Sequence, residues 1–312
     1  MKDKFVTAFA PATVANVGCG FDIMGFALGG NGDKVTISGA SGKRSKNILM
    51  TGPFGDLIPA DRLKNTAGVA VDAYLEATGN TNLNLDIALE KNLPLGSGMG
   101  SSASSAAAAV FAANEFLGNQ LSTRDLIPFA MEGERVACGT AHADNVAPSL
   151  LGGFLLIRSY SPLDIIKVKC PDDLYSAVVH PHIELKTSDA RRILKREIPM
   201  QDVIRQSANS AAFMVGILTE DYDLIGRSVT DLLAEPKRNQ LIPGFDAVRM
   251  AAFESGAIGF GISGSGPSVF ALCRGEYKAT TIAAKIKDAF LGYGLNSDSL
   301  VSGLNSPGTR LV

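Results

Sequence analysis

The sequence has no tryptophan, three histidines and four cysteines among its 312 residues. The cysteines are Cys19, Cys138, Cys170 and Cys273. They are far apart and form no C-x-x-C pair, so they do not mark a disulfide scaffold, and we expect reduced thiols in a cytoplasmic protein. Three histidines supply a zinc site poorly. His180 and His182 could provide two metal ligands, but the end of a strand leaving its sheet is the favoured interpretation of this segment.

The chain also lacks an excess of charge of either sign. Lys and Arg number 29 against 31 Asp and Glu, which gives a net charge of −2. This balance argues against a protein that binds nucleic acid or an anionic membrane through bulk charge. No window approaches the roughly 18 apolar residues of a membrane span. The apolar stretch 5–10 is shorter than the core of a signal peptide, and we interpret it as a first strand.

What the chain contains is typical of a globular enzyme of two domains. It is 46% hydrophobic and 19% charged, and its length favours two domains over one. Strand and helix patterns alternate in both halves, which indicates an α/β or α+β fold. The charged, proline-containing stretch 161–173 is the candidate junction. We therefore expect domains at 1–165 and 166–312, with a last strand that could return to the first.

Local patterns predict the elements around the central part of the chain. Residues 83–89 alternate between apolar and polar, as in a half-buried strand. Helices are predicted at 65–77, at 101–117, where serines suit a cap, and from 122 to about 136. Further helices are predicted near 188–194, 199–218, 222–233, 245–255 and 277–291, and strands at 153–158, 175–180, 257–262, 268–273 and near Leu300.

Three glycine-rich segments are candidates for ligand contact. The first, 10–22, follows a strand and places Gly18 and Gly20 between the amide of Asn16 and the carboxylate of Asp22. Glycine lets a backbone approach a ligand closely. A surface turn is the alternative interpretation of this segment.

The second segment, 94–104, is the most informative part of the chain. It joins a strand to an alanine-rich helix through three glycines and several serines. Such a loop can direct backbone N–H groups and a helix N-terminus at a phosphate, and the helix dipole favours negative charge there. No Lys-Ser or Lys-Thr pair follows the last glycine, so it is not a Walker A loop.

The third segment, 259–268, contains a G-x-G-x-x-G pattern that does not indicate a dinucleotide site. A dinucleotide fingerprint opens a helix, whereas here Pro267 and the apolar residues 269–272 continue as a strand. We interpret the segment as a turn that either brings backbone near a ligand or simply joins two strands. An NAD-dependent oxidoreductase is accordingly disfavoured.

Together these segments resemble the GHMP superfamily of small-molecule kinases. The second segment is similar to that superfamily's P-x-x-x-G-x-G-S-S-A motif for ATP, with Met99 where leucine is frequent. Four further segments resemble the homoserine kinase family within it. They are 16–22, 142–148, 186–191 and 235–244.

The resemblance covers nearly the whole chain and implies both a fold and an activity. The implied fold is an α+β two-domain GHMP fold, with a left-handed β-α-β crossover in the N-terminal domain, as in domain 2 of ribosomal protein S5, and a ferredoxin-like C-terminal domain. The implied activity is ATP-dependent phosphorylation of the side-chain hydroxyl of L-homoserine, giving O-phospho-L-homoserine for threonine biosynthesis. The resemblance also implies a cytoplasmic homodimer.

The same resemblance assigns residues to a zwitterionic amino acid. Arg191 and Arg238 supply guanidinium groups for its carboxylate, and Asp22 takes its ammonium group. The alcohol end falls to Asn16 and Asn145. His142 and Thr187 complete the predicted substrate-binding set. For each arginine, a surface ion pair is the alternative.

The ATP site is expected along the second segment, with Asn65 near the adenine. The implied contacts are Pro94, Leu95, Gly96, Ser97, Gly98, Met99, Gly100, Ser101, Ser102, Ala103 and Ser104. Mg²⁺ is expected on phosphate oxygens, the hydroxyl of Ser101 or Ser102, and Glu134, since hard cations take oxygen ligands. Glu132 competes with Glu134 for this role, and an ion pair of Glu134 with Arg135 is the alternative.

Several members of the superfamily use an aspartate as general base. The resemblance implies that Asn145 occupies the matching position in this chain. An amide cannot accept the proton, and Asp144 is a neighbour that normally points elsewhere. We therefore expect phosphoryl transfer without a protein base. A mevalonate or sugar kinase and a non-catalytic nucleotide-binding protein remain the alternatives.

Overall fold

A computed structural model describes residues 4–40, 45–139, 142–195 and 197–312. The strands are β1 (Phe5–Ala15), β2 (Met24–Gly39), β3 (Leu49–Thr51), β4 (Leu85–Glu90), β5 (Phe154–Tyr160), β6 (Leu163–Val168), β7 (Leu174–Pro181), β8 (Gly259–Ile262), β9 (Val269–Arg274), β10 (Ser297–Gly303) and β11 (Arg310–Leu311). The helices are α1 (Thr66–Ala77), α2 (Ser101–Phe116), α3 (Ile127–Cys138), α4 (Ala143–Leu151), α5 (Thr187–Arg192), α6 (Met200–Thr219), α7 (Tyr222–Ser228), α8 (Glu235–Arg238), α9 (Phe245–Glu254) and α10 (Glu276–Gly292). Short 3₁₀ turns lie at Gly55–Leu57, Thr123–Leu126 and Asn239–Leu241.

The strands form two sheets, in agreement with the predicted α+β fold of two domains. Within the described ranges, the first sheet has seven strands in the order β11-β1-β2-β4-β3, with β5 beside the start of β2 and β6 beside β5. Among the strands that the structure describes, only β3 and β4 pair in parallel. The second sheet is antiparallel in the order β10-β7-β9-β8. β6 spans the expected border between 165 and 166, and β11 pairs with β1, so chain from beyond 300 returns to the first sheet. The border itself stays a prediction.

Three apolar cores hold the elements together. The first lies between helices α1 to α4 and the first sheet, where the alanines of α2 let that helix approach its neighbours closely. The second joins the two sheets, with the ring of Phe26 lying 6.4 Å from that of Phe154 and 6.5 Å from that of Phe270. The third packs α9 and α10 on the second sheet. None of the described helices is long and apolar enough to cross a membrane.

The local predictions are largely confirmed, with one error of extent and several omissions. The helix predicted at 222–233 ends at Ser228, because the Asp231 carboxylate accepts backbone N–H groups of residues 233–235 and starts α8 instead. Strands β2, β3, β6 and β11 and helices α4 and α8 were not predicted. Five glycines interrupt the pattern of β2, and Pro148 lies inside α4. Cys19, Cys170 and Cys273 are buried free thiols, whereas the side chain of Cys138 lies outside the described part of the chain.

A buried ion pair fixes the start of α2. Lys91 and Asp33 are 1% and 0% exposed and in contact. Lys91 Nζ also donates to the Ser101 carbonyl at 2.6 Å and to Ser105 Oγ at 3.0 Å. Asp33 in turn accepts the backbone N–H groups of Asn92 and Leu93. Burial lowers the pKa of Lys91, and the Asp33 charge opposes that shift. One pair of charges therefore links β2, the chain after β4 and the first turn of α2.

We predict that Lys91→Met lowers the free energy of unfolding by about 3–5 kcal/mol, because it leaves a buried carboxylate without its counter-ion. The measurement is urea unfolding followed by circular dichroism. Lys34→Met is the matched control, since Lys34 pairs with Glu90 at 3.3 Å with both side chains about two-fifths exposed, and its loss costs less than about 1 kcal/mol. Equal effects of the two substitutions would contradict the prediction.

Candidate active site

The loop between β4 and α2 lines one side of a cavity of about 300 Å³. Four consecutive carbonyl oxygens of this loop accept hydrogen bonds from other parts of the chain. The pairs are Leu185 N–H to Gly96 O at 3.2 Å, Ser268 N–H to Ser97 O at 3.1 Å, Ser263 Oγ to Gly98 O at 2.7 Å and Thr13 N–H to Met99 O at 3.1 Å. Because its carbonyls are held by the protein, the loop can present N–H groups to the cavity, which suits an anion.

Two glycines of this loop allow a close approach that no other residue permits. Gly98 and Gly100 have φ values of +78° and +64°. A Cβ atom at Gly98 would lie 2.4 Å from the Ser263 carbonyl oxygen, and one at Gly100 would lie 2.0 Å from Thr13 Oγ1. The glycine pattern therefore follows from the packing of the loop against two other segments.

The N-terminus of α2 is directed at the same cavity. The helix begins after Gly100, and no side chain caps it. The expectation that serines cap this helix is wrong, because they lie inside its first turns, where Ser101 Oγ donates to Leu93 O at 3.1 Å. The uncapped N–H groups of the first turn can therefore receive a ligand, and the helix dipole adds to their attraction for an anion.

Ser101, Ser102 and Glu134 line the cavity together. Glu134 is 6% exposed. Its alternative partner Arg135 pairs instead with Glu132 on the surface, at 2.9 Å. Two hydroxyls and a buried carboxylate beside a loop of N–H groups form an oxygen donor set that fits Mg²⁺ bound to a polyphosphate.

On the opposite side of the cavity, Arg191 and Asp22 form an ion pair. Arg191 Nη2 lies 2.9 Å from both carboxylate oxygens of Asp22. His142 Nδ1 is 3.9 Å from the same carboxylate. Burial lowers the pKa of His142, the Asp22 charge raises it and the Arg191 charge lowers it further. The cation and the anion of this pair neutralise each other.

Arg238 lies behind this pair and is 4% exposed. It donates to the Gly264 carbonyl at 2.9 Å and to the Ala190 carbonyl at 3.3 Å. Burial lowers its pKa, and the charge of Asp22 opposes that effect. The surface ion pair considered for this arginine is therefore wrong, since its guanidinium is buried against backbone carbonyls and lines the cavity.

Amide and hydroxyl side chains fill the space between the two sides. Asn145 Oδ1 accepts from Thr13 Oγ1 at 2.7 Å, which leaves the amide N–H₂ of Asn145 as a donor for a ligand. Asn16 is engaged within the chain, because Nδ2 donates to Gly264 O at 2.8 Å and Oδ1 accepts from Asp22 N at 2.9 Å. Thr187 Oγ1 lies 3.3 Å from Ser265 Oγ.

Asp144 and its chain neighbour Asn145 both line the cavity, so the expectation that Asp144 points elsewhere is wrong. Asp144 is 4% exposed, and its Oδ1 has no hydrogen-bond partner among the described residues. Burial raises the pKa of Asp144 to about 7, and the negative charges of Asp22 and Glu134 add to that effect. The carboxyl group therefore titrates near neutral pH rather than in the usual acidic range of an aspartate.

Six of the predicted contacts do not line the cavity. They are Asn65, Pro94, Leu95, Met99, Ala103 and Ser104. Asn65 caps α1, accepting from Ala67 N at 3.0 Å and donating to Pro59 O at 2.8 Å. Met99 packs in the core between the sheets. These residues shape the loop and its supports.

Several cavity residues were not predicted. They are Ala137, Glu184, Lys186, Ser188, Gly264 and Ser265. Lys186 and Ser188 flank the predicted Thr187. The sequence therefore pointed to their segment, but these two residues were not assigned to the site. Gly264 and Ser265 form the turn between β8 and β9, where the sequence left ligand approach and a plain turn as alternatives. The helix that a dinucleotide fingerprint needs is replaced by β9.

The two neighbouring histidines lie outside this cavity. His180 is at the end of β7, as the strand-end interpretation predicts, with Nδ1 3.2 Å from Ser268 Oγ. His182 Nε2 is 2.9 Å from Asp298 Oδ2. In the part of the chain that the structure describes, no three His, Cys, Asp or Glu side chains are grouped to hold a metal ion.

Comparisons with known proteins point to one family over the whole length. Residues 65–153 match the model of the GHMP kinases N-terminal domain, and residues 213–291 match that of the GHMP kinases C-terminal domain. The chain is 49% identical to the homoserine kinase of Chlorobaculum tepidum over 99% of this chain and 98% of that protein.

Solved structures agree with this relationship. The crystal structure of homoserine kinase from Cytophaga hutchinsonii matches with a TM-score of 0.95 and 46% identity, covering 100% of this chain and 98% of that one. The structure of L. major mevalonate kinase in complex with R-mevalonate matches with a TM-score of 0.71 and 16% identity, covering 96% of each chain. The second match shows the shared fold alone.

The pKa of Asp144 predicts a pH-dependent stability. Between pH 4 and about 7 the unfolded state loses this proton while the native state keeps it, so the buried carboxyl group destabilises the fold increasingly as pH rises. Asp144→Asn removes this titration. We predict that its free energy of unfolding, minus that of the parent, increases by about 2–3 kcal/mol from pH 5 to pH 8.

The measurement is urea unfolding of both proteins at each pH. Burial also raises the pKa of Glu235 to about 7, but Glu235 is present in both proteins, so its contribution cancels in the difference. A difference that does not change with pH would contradict the prediction.

Proposed function

Because the chain belongs to the homoserine kinase family of GHMP kinases, we propose that it transfers the γ-phosphate of ATP to the side-chain hydroxyl of L-homoserine in the cavity between the α2 N-terminus and Arg191. The observation that carries this proposal is the pairing, in one cavity, of a phosphate-type loop with charges for both ends of a free amino acid. The product, O-phospho-L-homoserine, belongs to the route to threonine.

The nucleotide end uses backbone groups. The N–H groups of the loop and of the first turn of α2 bind the phosphates, with Gly96, Ser97 and Gly98 nearest the cavity. Mg²⁺ would be held by Ser101 or Ser102 and by Glu134, and it would neutralise developing charge on the phosphate oxygens. These side chains also keep the polyphosphate in one orientation, which is the main requirement of a loose transition state.

At the end of the cavity that takes the amino acid, the Arg191–Asp22 ion pair is replaced by two ion pairs with the substrate. The substrate ammonium takes the place of Arg191 on Asp22, and the substrate carboxylate pairs with Arg191 and Arg238. A zwitterion satisfies both members of the existing pair at once, whereas a ligand with one charge leaves the other member without a partner. Asn145 donates to the alcohol, with Asn16, His142 and Thr187 bordering the same space.

The transfer proceeds without a protein base. Asn145, at the position where several relatives in the superfamily carry an aspartate, cannot take up the proton, and the raised pKa of Asp144, about 7, leaves a large part of that carboxyl group protonated at neutral pH. A γ-phosphate oxygen therefore accepts the hydroxyl proton as the oxygen attacks phosphorus. A dissociative transition state places little demand on a base.

The direct test is a substrate panel. The purified protein is incubated with ATP, Mg²⁺ and, in turn, L-homoserine, mevalonate or galactose, and ADP release is followed; a parallel assay follows NADH formation from NAD. ADP should form at a substantial rate only with L-homoserine. Faster turnover of mevalonate or galactose, or no turnover at all, would refute the proposal.

Arg238→Leu should weaken L-homoserine binding by roughly 2–5 kcal/mol, because the substrate carboxylate loses a buried partner. ATP affinity should change little. Isothermal titration calorimetry with each ligand measures both. Arg192→Leu is the matched control, since Arg192 is largely exposed and pairs with Asp189 on the surface. Unchanged homoserine affinity in Arg238→Leu would overturn the proposed pose.

Asp144→Asn should reduce kcat by less than about tenfold, since a general base typically contributes about 10²–10⁴. Steady-state kinetics at saturating ATP measure this. A loss beyond about a thousandfold, with KM little changed and Mg²⁺ binding intact, would identify Asp144 as a base.

We further propose that the protein works in the cytoplasm, as its widely spaced cysteines lead us to expect, and, from family resemblance alone, that it forms a homodimer. Static light scattering should then give twice the chain mass of 32.6 kDa. A mass equal to one chain across micromolar concentrations would rule the dimer out.

A further inference from the structure

Phe21 contacts both arginines of the cavity. Its ring centroid lies 5.3 Å from Cζ of Arg238 and 5.9 Å from Cζ of Arg191. Both distances are within the range of attraction between a guanidinium group and the face of an aromatic ring. The two arginines come from different helices, α5 and α8, and Phe21 connects them through one side chain.

The two guanidinium groups are close enough to repel each other. The Arg191 charge contributes to the lowering of the Arg238 pKa, after the larger effect of burial. Arg238 is held by two backbone carbonyls, but the ion-pair partner of Arg191 is the carboxylate of Asp22. Under the proposed function, Asp22 also pairs with the substrate ammonium. Arg191 then shares the carboxylate of Asp22 with the substrate while its guanidinium group must pair with the substrate carboxylate.

The backbone next to Phe21 is held by hydrogen bonds. It immediately precedes Asp22, whose backbone N–H is held by Asn16 Oδ1 at 2.9 Å and whose carbonyl accepts from Tyr160 OH at 2.8 Å. Asn16 is itself tied to the Gly264 carbonyl, which also receives Arg238. The ring is therefore positioned by the same short network that positions the ion pair.

We propose that Phe21 is a positioning residue that holds the guanidinium groups of Arg191 and Arg238 side by side for the substrate carboxylate, and so sets the preference for acceptors that carry one. This inference rests on the proposed function. An aromatic face can hold two like charges together because it attracts each of them, while an aliphatic side chain of similar size offers only packing.

The test compares Phe21→Leu with Phe21→Tyr in steady-state kinetics. We expect Phe21→Leu to raise the KM for L-homoserine about tenfold, with kcat and the KM for ATP within twofold of the parent. Phe21→Tyr keeps the ring and should restore the KM to within about twofold. Phe253→Leu is the matched control, because it removes a ring that lies 5.9 Å from Arg249 outside the cavity, and it should leave all three constants unchanged.

A second readout separates positioning of the arginines from a general effect on the fold. The inhibition constant of 3-aminopropan-1-ol, which lacks the carboxylate, is measured against L-homoserine. It should be the same in the parent and in Phe21→Leu. The inference is overturned if Phe21→Leu leaves the KM for L-homoserine unchanged, if Phe21→Tyr does not restore it, or if the inhibition constant rises by the same factor. A parent protein inactive on L-homoserine would instead refute the proposed function.

Discussion

The cavity depends on one constraint: the loop before α2 must show its N–H groups to a ligand and turn its carbonyl oxygens away. Each carbonyl from Gly96 to Met99 is held by a donor from elsewhere in the chain, and the Ser101 carbonyl is held by the buried Lys91. A carbonyl without such a donor would be buried at considerable cost or would face the cavity and repel an anion. The donors come from β1, the segment before α5 and the β8–β9 turn, so both sheets must assemble before the loop is complete.

The Lys91–Asp33 pair explains why this arrangement is stable. Burying a lysine next to a helix N-terminus is unfavourable, since the positive end of the helix dipole is there. Asp33 compensates the charge, and the Ser105 hydroxyl and two backbone N–H groups satisfy the rest of its oxygens. The charges of Lys91 and Asp33 therefore neutralise each other inside the core. The N–H groups at the start of α2 stay available to bind the negative charge of a phosphate.

On the other side of the cavity, the charges that compensate each other lie beside the cavity rather than inside the core. Arg191 and Asp22 lie beside the cavity and neutralise each other there. Burial drives neighbouring acids such as Asp144 towards the protonated form, so that few uncompensated negative charges compete with an incoming polyphosphate. Charge compensation is thus buried within the core beside the loop, in the Lys91–Asp33 pair, and lies beside the cavity in the Arg191–Asp22 pair.

Much of the structure around the loop before α2 was predictable because its signals are local. The Gly/Ser loop, the alternating strand before it and the alanine-rich helix after it lie within about 35 residues of sequence, and backbone preferences act over that range. The charged residues Asp22, Arg191 and Arg238 were predicted only through family resemblance. The carbonyl donors, Lys186 and Ser265 were missed, because no local pattern relates them to the loop.

The sequence by itself determined which segments can bind a phosphate and form helix α2, since glycine conformation and alanine propensity depend on neighbouring residues. Tertiary structure alone decided that Arg191 meets Asp22 across 169 residues, that Phe21 lies near both arginines, and that Asp144 is buried enough to raise its pKa to about 7. The physical reason is that ion pairing and burial depend on which distant segments share a core, and the topology of the two sheets sets that sharing.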